Sequence, residues 1–150
     1  MKHFLVLLIT LLCYTIGAQD SKLTQTLGKF AEVKGFDGIS INLVRSSENK
    51  AVITGESTDK VVIVNNDGVL KIRMQITKFF SGYKTFVDLY YTDDIMVIDV
   101  NEDARITSKG TIIQDVLELK AQEGGEVSVS TEVEQLLIKS VSRWYSKGYW

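Results

Sequence analysis

Along much of this chain, apolar side chains recur at every second position in short runs separated by polar turns. Residues 39–44, ISINLV, set Ile39, Ile41 and Leu43 against Ser40 and Asn42, and AVITG (51–55) follows the polar turn RSSENK. VLKIRMQI (69–76) alternates Leu70, Ile72, Met74 and Ile76 with Lys71, Arg73 and Gln75. That period predicts a strand with one wet face. VVIV precedes it, and the intervening NNDG (65–68) supplies residues that tolerate positive φ, so 61–74 predicts a tight hairpin. NNDG lacks the ligand spacing of a full calcium loop. TFVDLYY (85–91) and IMVIDV (95–100) are two more strands around TDD, while KFFSGYK (78–84) is a turn with exposed aromatics or a flap over the core. No long segment has helical spacing; the best candidate, TEVEQLL, is too short to matter. Proline is absent, so no strand loses an amide donor.

The second half repeats itself weakly. MVIDV, LELKA and LLIKS start at Met96, Leu117 and Leu136, offsets of 21 and 19 residues, with ARITS (104–108) and EVSVS (126–130) between them. A period of about 20 residues with two short strands in each predicts stacked coils. The expected fold is all-β: a β-solenoid, right-handed and β-helix-like, with an N-terminal region rich in hairpins. An antiparallel β-sandwich built as a meander has the same spacing and is the alternative.

The N-terminus changes the compartment. MKHFLVLLITLLCYTIGA (1–18) has a basic start, an apolar stretch from Phe4 to Ile16 and small residues at 17 and 18. This is the layout of a secretory signal peptide cut after Ala18, with a stretch too short to span a membrane comfortably. Leu11 and Leu12 before Cys13 do not make a lipoprotein acylation site. Residues 19–29 read as a flexible leader. His3 and Cys13, the only His and Cys, leave with residues 1–18, as does Lys2; 16 basic and 19 acidic side chains remain, a net charge of −3. That mild acidity gives no footprint for nucleic acid.

Residues 30–74, FAEVKGFDGISINLVRSSENKAVITGESTDKVVIVNNDGVLKIRM, resemble the opening of the head GIN domain, described as an auto-transporter adhesin head of Gram-negative bacteria and related in shape to β-helices. The likeness lies in the order of parts and continues to about Ser142, so 30–142 is expected to be a partial domain of this kind. Two features depart from it. Of the Gly-rich turns of the second half only Gly124–Gly125 matches well, and the family domain continues for several more coils. Residues 143–150, RWYSKGYW, crowd two Trp and two Tyr together. Encoded as AGG TGG TAT AGT AAA GGG TAT TGG and read one base out of frame, they give Gly-Gly-Ile-Val-Lys-Gly-Ile, so this atypical aromatic tail is expected to be a frameshifted end of a truncated domain; an aromatic cap closing the open end is the alternative.

The chemistry left to the processed chain is that of carboxylates. Without His and Cys it has no Ser-His-Asp or Cys-His mechanism and lacks the usual zinc, copper or haem ligands. EGGE (123–126) has the wrong charge for a phosphate cradle. Asp93, Asp94, Asp99, Glu102 and Asp103 cluster, and Asp88 and Asp99 interrupt apolar strands. The period sends such residues to the solvent face; a calcium or glycan site and carboxylate catalysis are the alternatives. Phe79, Phe80, Tyr83, Tyr90 and Tyr91 offer a sugar-stacking platform or ordinary strand packing. Tyr83, Asp99, Glu102 and Asp103 are the expected surface-binding residues, with no catalytic, cofactor or metal residue assigned. The resemblance implies an exported, non-catalytic module for cell-envelope adhesion or surface binding of a glycan or protein, in the periplasm, on the outer surface or outside the cell. A carbohydrate-active enzyme of the β-helix type and a structural fragment without a ligand are the alternatives. The processed chain is not expected to be an integral membrane protein, and an uncovered last coil would pair copies into a homo-oligomer.

Overall fold

The computed structural model describes residues 22–75 and 82–141. The signal peptide expected at 1–18, Phe79 and Phe80, and the aromatic tail at 143–150 lie outside the described residues. Ten strands form in chain order: β1 (Leu23–Thr26), β2 (Glu32–Gly35), β3 (Ser40–Arg45), β4 (Lys50–Gly55), β5 (Val61–Asn66), β6 (Val69–Met74), β7 (Thr85–Tyr91), β8 (Val97–Val100), β9 (Arg105–Gln122) and β10 (Glu126–Val141). Single 3-10 turns occupy Thr58–Lys60 and Gly82–Lys84.

All ten strands belong to one sheet, in the order β1-β4-β7-β3-β9-β8-β2-β6-β5, with β10 on β9. The sheet curls strongly into an open half-barrel and buries its concave face. Period two decides which side chains go there. Ile41 and Leu43 of β3, Ala51 and Ile53 of β4, Leu70, Ile72 and Met74 of β6, and Val87, Leu89 and Tyr91 of β7 are all buried. The hairpin expected at 61–74 is β5 against β6, closed by Asp67 and Gly68 at φ 50° and 86°.

The middle of the sheet is parallel. β9 pairs with β3 through Arg105–Ser108 and with β8 through Glu118–Ala121, and β10 runs beside it along its length. Equivalent inward positions therefore line up. Val33 lies beside Ile98, Ile98 beside Leu119, and Leu119 beside Ile138. A second column joins Val87, Ile41, Ile106 and Val127. The steps from Ile98 to Leu119 to Ile138 are the 21- and 19-residue offsets seen in the sequence.

Three expectations change. ARITS and LELKA are parts of one strand, β9, and EVSVS, TEVEQLL and LLIKS are parts of β10. The buried parity changes along β9, from Ile106, Ile112 and Gln114 to Leu117, and β10 carries an irregularity between Ser128 and Ser130, so the sequence reads as separate pieces. The leader expected at 19–29 contains β1, which pairs antiparallel with β4. β1 is an edge strand held by backbone bonds with mostly exposed side chains, so no alternation marks it. Among the described residues no helix is long and apolar enough to cross a membrane.

Burial falls along the first column: Val33 and Ile98 are 0% exposed, whereas Ile138 is 67% exposed. Removing buried atoms costs transfer free energy plus a cavity, removing exposed ones little. Ile98→Ala should cost about 2–5 kcal/mol of unfolding free energy, and Ile138→Ala below about 0.5 kcal/mol. Urea unfolding of dilute protein measures both, and equal losses would contradict the column.

Candidate functional site: a stack of acidic turns

Parallel neighbours force the corners between them to stack as well. The chain reverses at Phe36–Ile39, Asn101–Ala104 and Gln122–Gly125. Each corner is closed by the fourth residue's amide donating to the first residue's carbonyl, at 3.3, 3.0 and 2.8 Å. The central residues are Asp37–Gly38 (φ 59° and 72°), Glu102–Asp103 (51° and 58°) and Glu123–Gly124 (50° and 83°). Two positive φ angles in succession define the primed turn, whose twist suits the strands on either side. The turns also hold one another: Gly38 N donates to Glu102 O at 2.8 Å, and Asp103 N donates to Glu123 O at 3.1 Å. Glycine meets the left-handed requirement cheaply, but Glu102 and Asp103 do not, at about 1–2 kcal/mol each. Strain of this kind persists where the surroundings over-determine it, and it concentrates at functional sites.

The stack gathers negative charge. Asp37 lies against Glu102, and the hydrogen bond between their carboxyls raises the Glu102 pKa above its ordinary 4.5, aided by burial and by the charges of Asp37 and Glu123. Asp37 is anchored from behind, its Oδ2 accepting from Met74 N at 3.0 Å. Tyr83 covers the outer side of the column. Its hydroxyl donates to Asp103 Oδ2 at 3.0 Å, and that bond raises the Tyr83 pKa. A β-carbon on Gly38 would meet the Tyr83 ring at 2.8 Å, so the ring needs glycine there.

Beside the column, the convex side of β5 and β6 forms an open cavity of about 450 Å³. Phe36 and Val64 line its apolar part, Asp37 and Glu102 stand on the corner side, and Asn66, Lys71 and Arg73 project from the hairpin. Lys71 and Arg73 are two residues apart on one strand and share a face. Neither has an ion-pair or hydrogen-bond partner among the described residues.

Three of the four expected binding residues, Tyr83, Glu102 and Asp103, meet in this column. Asp99 does not. It is 6% exposed and accepts from Lys34 Nζ (3.3 Å), Asn101 Nδ2 (3.0 Å) and Gln122 Nε2 (3.4 Å). The period sends it to the convex side as expected, but long polar side chains from adjacent rungs cover it. Asp88 accepts from Asn42 Nδ2 at 3.0 Å, and Asp93 and Asp94 pair with Lys29 and Arg45 at 3.4 and 3.1 Å. Tyr91 is buried under the Arg45 guanidinium, and Lys50 lies over the Tyr90 ring. Tyr83, 59% exposed, is the accessible aromatic of the expected set among the described residues. Sequence reasoning missed Asp37, Glu123 and the cavity cations. A signal existed: Asp37, Glu102 and Glu123 each sit four residues after Val33, Ile98 and Leu119, at the same rung position. Among the described residues, no group of His, Cys, Asp or Glu has the arrangement of a metal site.

With its pKa raised, Glu102 makes the folded state hold a proton that the unfolded chain releases. Stability falls as pH rises from the ordinary carboxylate value through the raised one, and returns on acidification. Glu102→Gln should therefore stabilise the fold at pH 7, by less than about 1 kcal/mol because solvent screens the site, and lose that advantage at pH 3.5. Thermal melts across pH check this; an advantage that grows on acidification would contradict the pairing.

Comparison with known proteins adds three findings. The family model described as "Putative auto-transporter adhesin, head GIN domain" matches residues 29–143. Similar solved structures include a "putative adhesin" from Bacteroides fragilis (TM-score 0.73, 13% identity, 84% of this chain and 60% of that one). Others are a "putative adhesin" from Parabacteroides merdae (0.67, 20%, 83% and 53%) and one from Parabacteroides distasonis (0.70, 17%, 84% and 55%). At these identities the likeness is one of fold, and the chain spans little more than half the length of each structure. No curated protein sequence matches it.

Proposed function

Because this chain belongs to the head GIN domain family, we propose that it is an exported, non-catalytic binding module of the cell envelope, of adhesin type, that engages a surface glycan or protein. One observation supports the reading: a hydrogen-bonded stack of corners holds polar groups beside an open cavity on the outside of a curled sheet. The inside is filled with aliphatic side chains, so recognition falls to the convex surface and the corners. Stacked coils are the architecture we infer for the parallel half, since equivalent residues recur there at every rung. Export rests on the N-terminal pattern of residues 1–18.

Catalysis by carboxylates is the second reading, favoured by the contact between Asp37 and Glu102 and by the raised pKa of Glu102. The two separate in one assay. A binding module is retained on immobilised envelope polysaccharides or surface proteins and releases no product. An enzyme shortens the polysaccharide, and Glu102→Gln abolishes the release. Retention on no surface of either kind would overturn the proposal.

The outer edge of β10 supports a further part of the proposal, the association of copies. Leu136, Leu137, Ile138 and Val141 are exposed on a strand that pairs only with β9 among the described residues. Such an edge templates pairing with another strand. Light scattering should show mass rising with concentration, and Ile138→Lys should shift the protein toward monomer.

A further inference from the structure

The cavity beside the acidic corners has a polarity that narrows the ligand class. Lys71 is the register neighbour of Lys34 across β2 and β6, so the two share the convex face. Lys34 is neutralised by Glu32 at 2.8 Å and Asp99 at 3.3 Å. Lys71 and Arg73 have no such carboxylate among the described residues, although they repel each other from one strand face. An unpaired cationic pair on a wall of a cavity is suited to a carboxylate, which the Arg73 guanidinium can grip with two parallel hydrogen bonds.

The corner side of the cavity asks for something else. Asp37 and Glu102 lie against each other, and carboxylates accept from hydroxyl groups while repelling a second anion. Phe36 contributes a half-buried aromatic side chain to the lining, and Asn66 an amide that both donates and accepts. A ligand matching all of these carries one carboxylate, several hydroxyls and an apolar ring face.

Resting on the reading of this chain as a binding module, we propose that the cavity takes a carboxylated sugar residue of an acidic polysaccharide. Its carboxylate sits on Lys71 and Arg73, its hydroxyls face Asp37, Glu102 and Asn66, and its ring lies over Phe36. An acidic peptide fits less well, because its carboxylates come without the hydroxyls and ring face that Asp37, Glu102 and Phe36 would engage.

Isothermal titration calorimetry with trigalacturonic acid tests this, with maltotriose, tri-glutamate and sodium sulfate as comparison probes. The expected result is binding of trigalacturonic acid that weakens with salt, and weaker binding of the other three. Lys71→Ala/Arg73→Ala should reduce the affinity at least about tenfold, as should Phe36→Ala for the ring contact. Circular dichroism and melting temperature confirm that these variants fold. Equal binding of maltotriose, of tri-glutamate or of sulfate would overturn the sugar class, as would an unchanged affinity in the Lys71/Arg73 double variant. If trigalacturonic acid fails while the wild type is still retained on other envelope surfaces, this inference falls and the binding-module reading stands. Retention on nothing removes both.

Discussion

Burial of side chains in register is the constraint on which the rest of this structure depends. Once Val33, Ile98 and Leu119 must lie side by side in the interior, the backbone on either side of them is no longer free. Each rung must turn at the same distance from its buried residue. The corners therefore coincide in space, and whatever residues occupy them are brought into contact. Asp37, Glu102 and Glu123 are separated widely in sequence, yet they occupy one column because three aliphatic side chains occupy another. Hydrophobic burial sets the geometry here, and the electrostatics are its consequence.

The same coupling explains how the two sides of the sheet come to differ. The concave side collects the apolar core, mostly Ile, Leu and Val. The convex side collects what remains at alternate positions, and there the rungs place Lys34, Asp99 and Lys120 next to one another. Opposite charges in adjacent rungs satisfy each other, as Lys34 and Asp99 do. Where no opposite charge stands in the adjacent rung, the charge remains available, as with Lys71 and Arg73. Unmatched charge is left on the convex surface where the cross-rung matching stops.

Much of the fold was legible because period two is a local signal. Ile39, Ile41 and Leu43 announce their strand without help from distant residues, and NNDG announces its turn. The 21- and 19-residue offsets were legible for the same reason, since they repeat a local pattern. What could not be read was where local pattern and global path disagree. β1 has no alternation because its sheet partner supplies backbone bonds and little burial. β9 and β10 look broken because the buried parity changes along β9 and the register shifts in β10. At the candidate site, Tyr83, Glu102 and Asp103 were legible as polar or aromatic residues in turns. Asp99 stood out as a charge interrupting an apolar strand but is covered by Lys34, Asn101 and Gln122, which only the register could reveal. Lys71 and Arg73 looked like the ordinary wet face of a strand, and their lack of partners is a property of the neighbours, not of their own sequence.

The exposed flank of β10 gives the molecule a direction. Each rung toward β2 is sandwiched by two neighbours, whereas β10 among the described residues leans on one. Local opening should therefore cost least at β10 and progressively more toward β8 and β2, a gradient that amide hydrogen exchange would register as a zipper fraying from one side. The corner at Glu123 belongs to the loose side and the corner at Asp37 to the tight side. A ligand touching both corners would bridge the two ends of that gradient and would have to hold the less protected one in place.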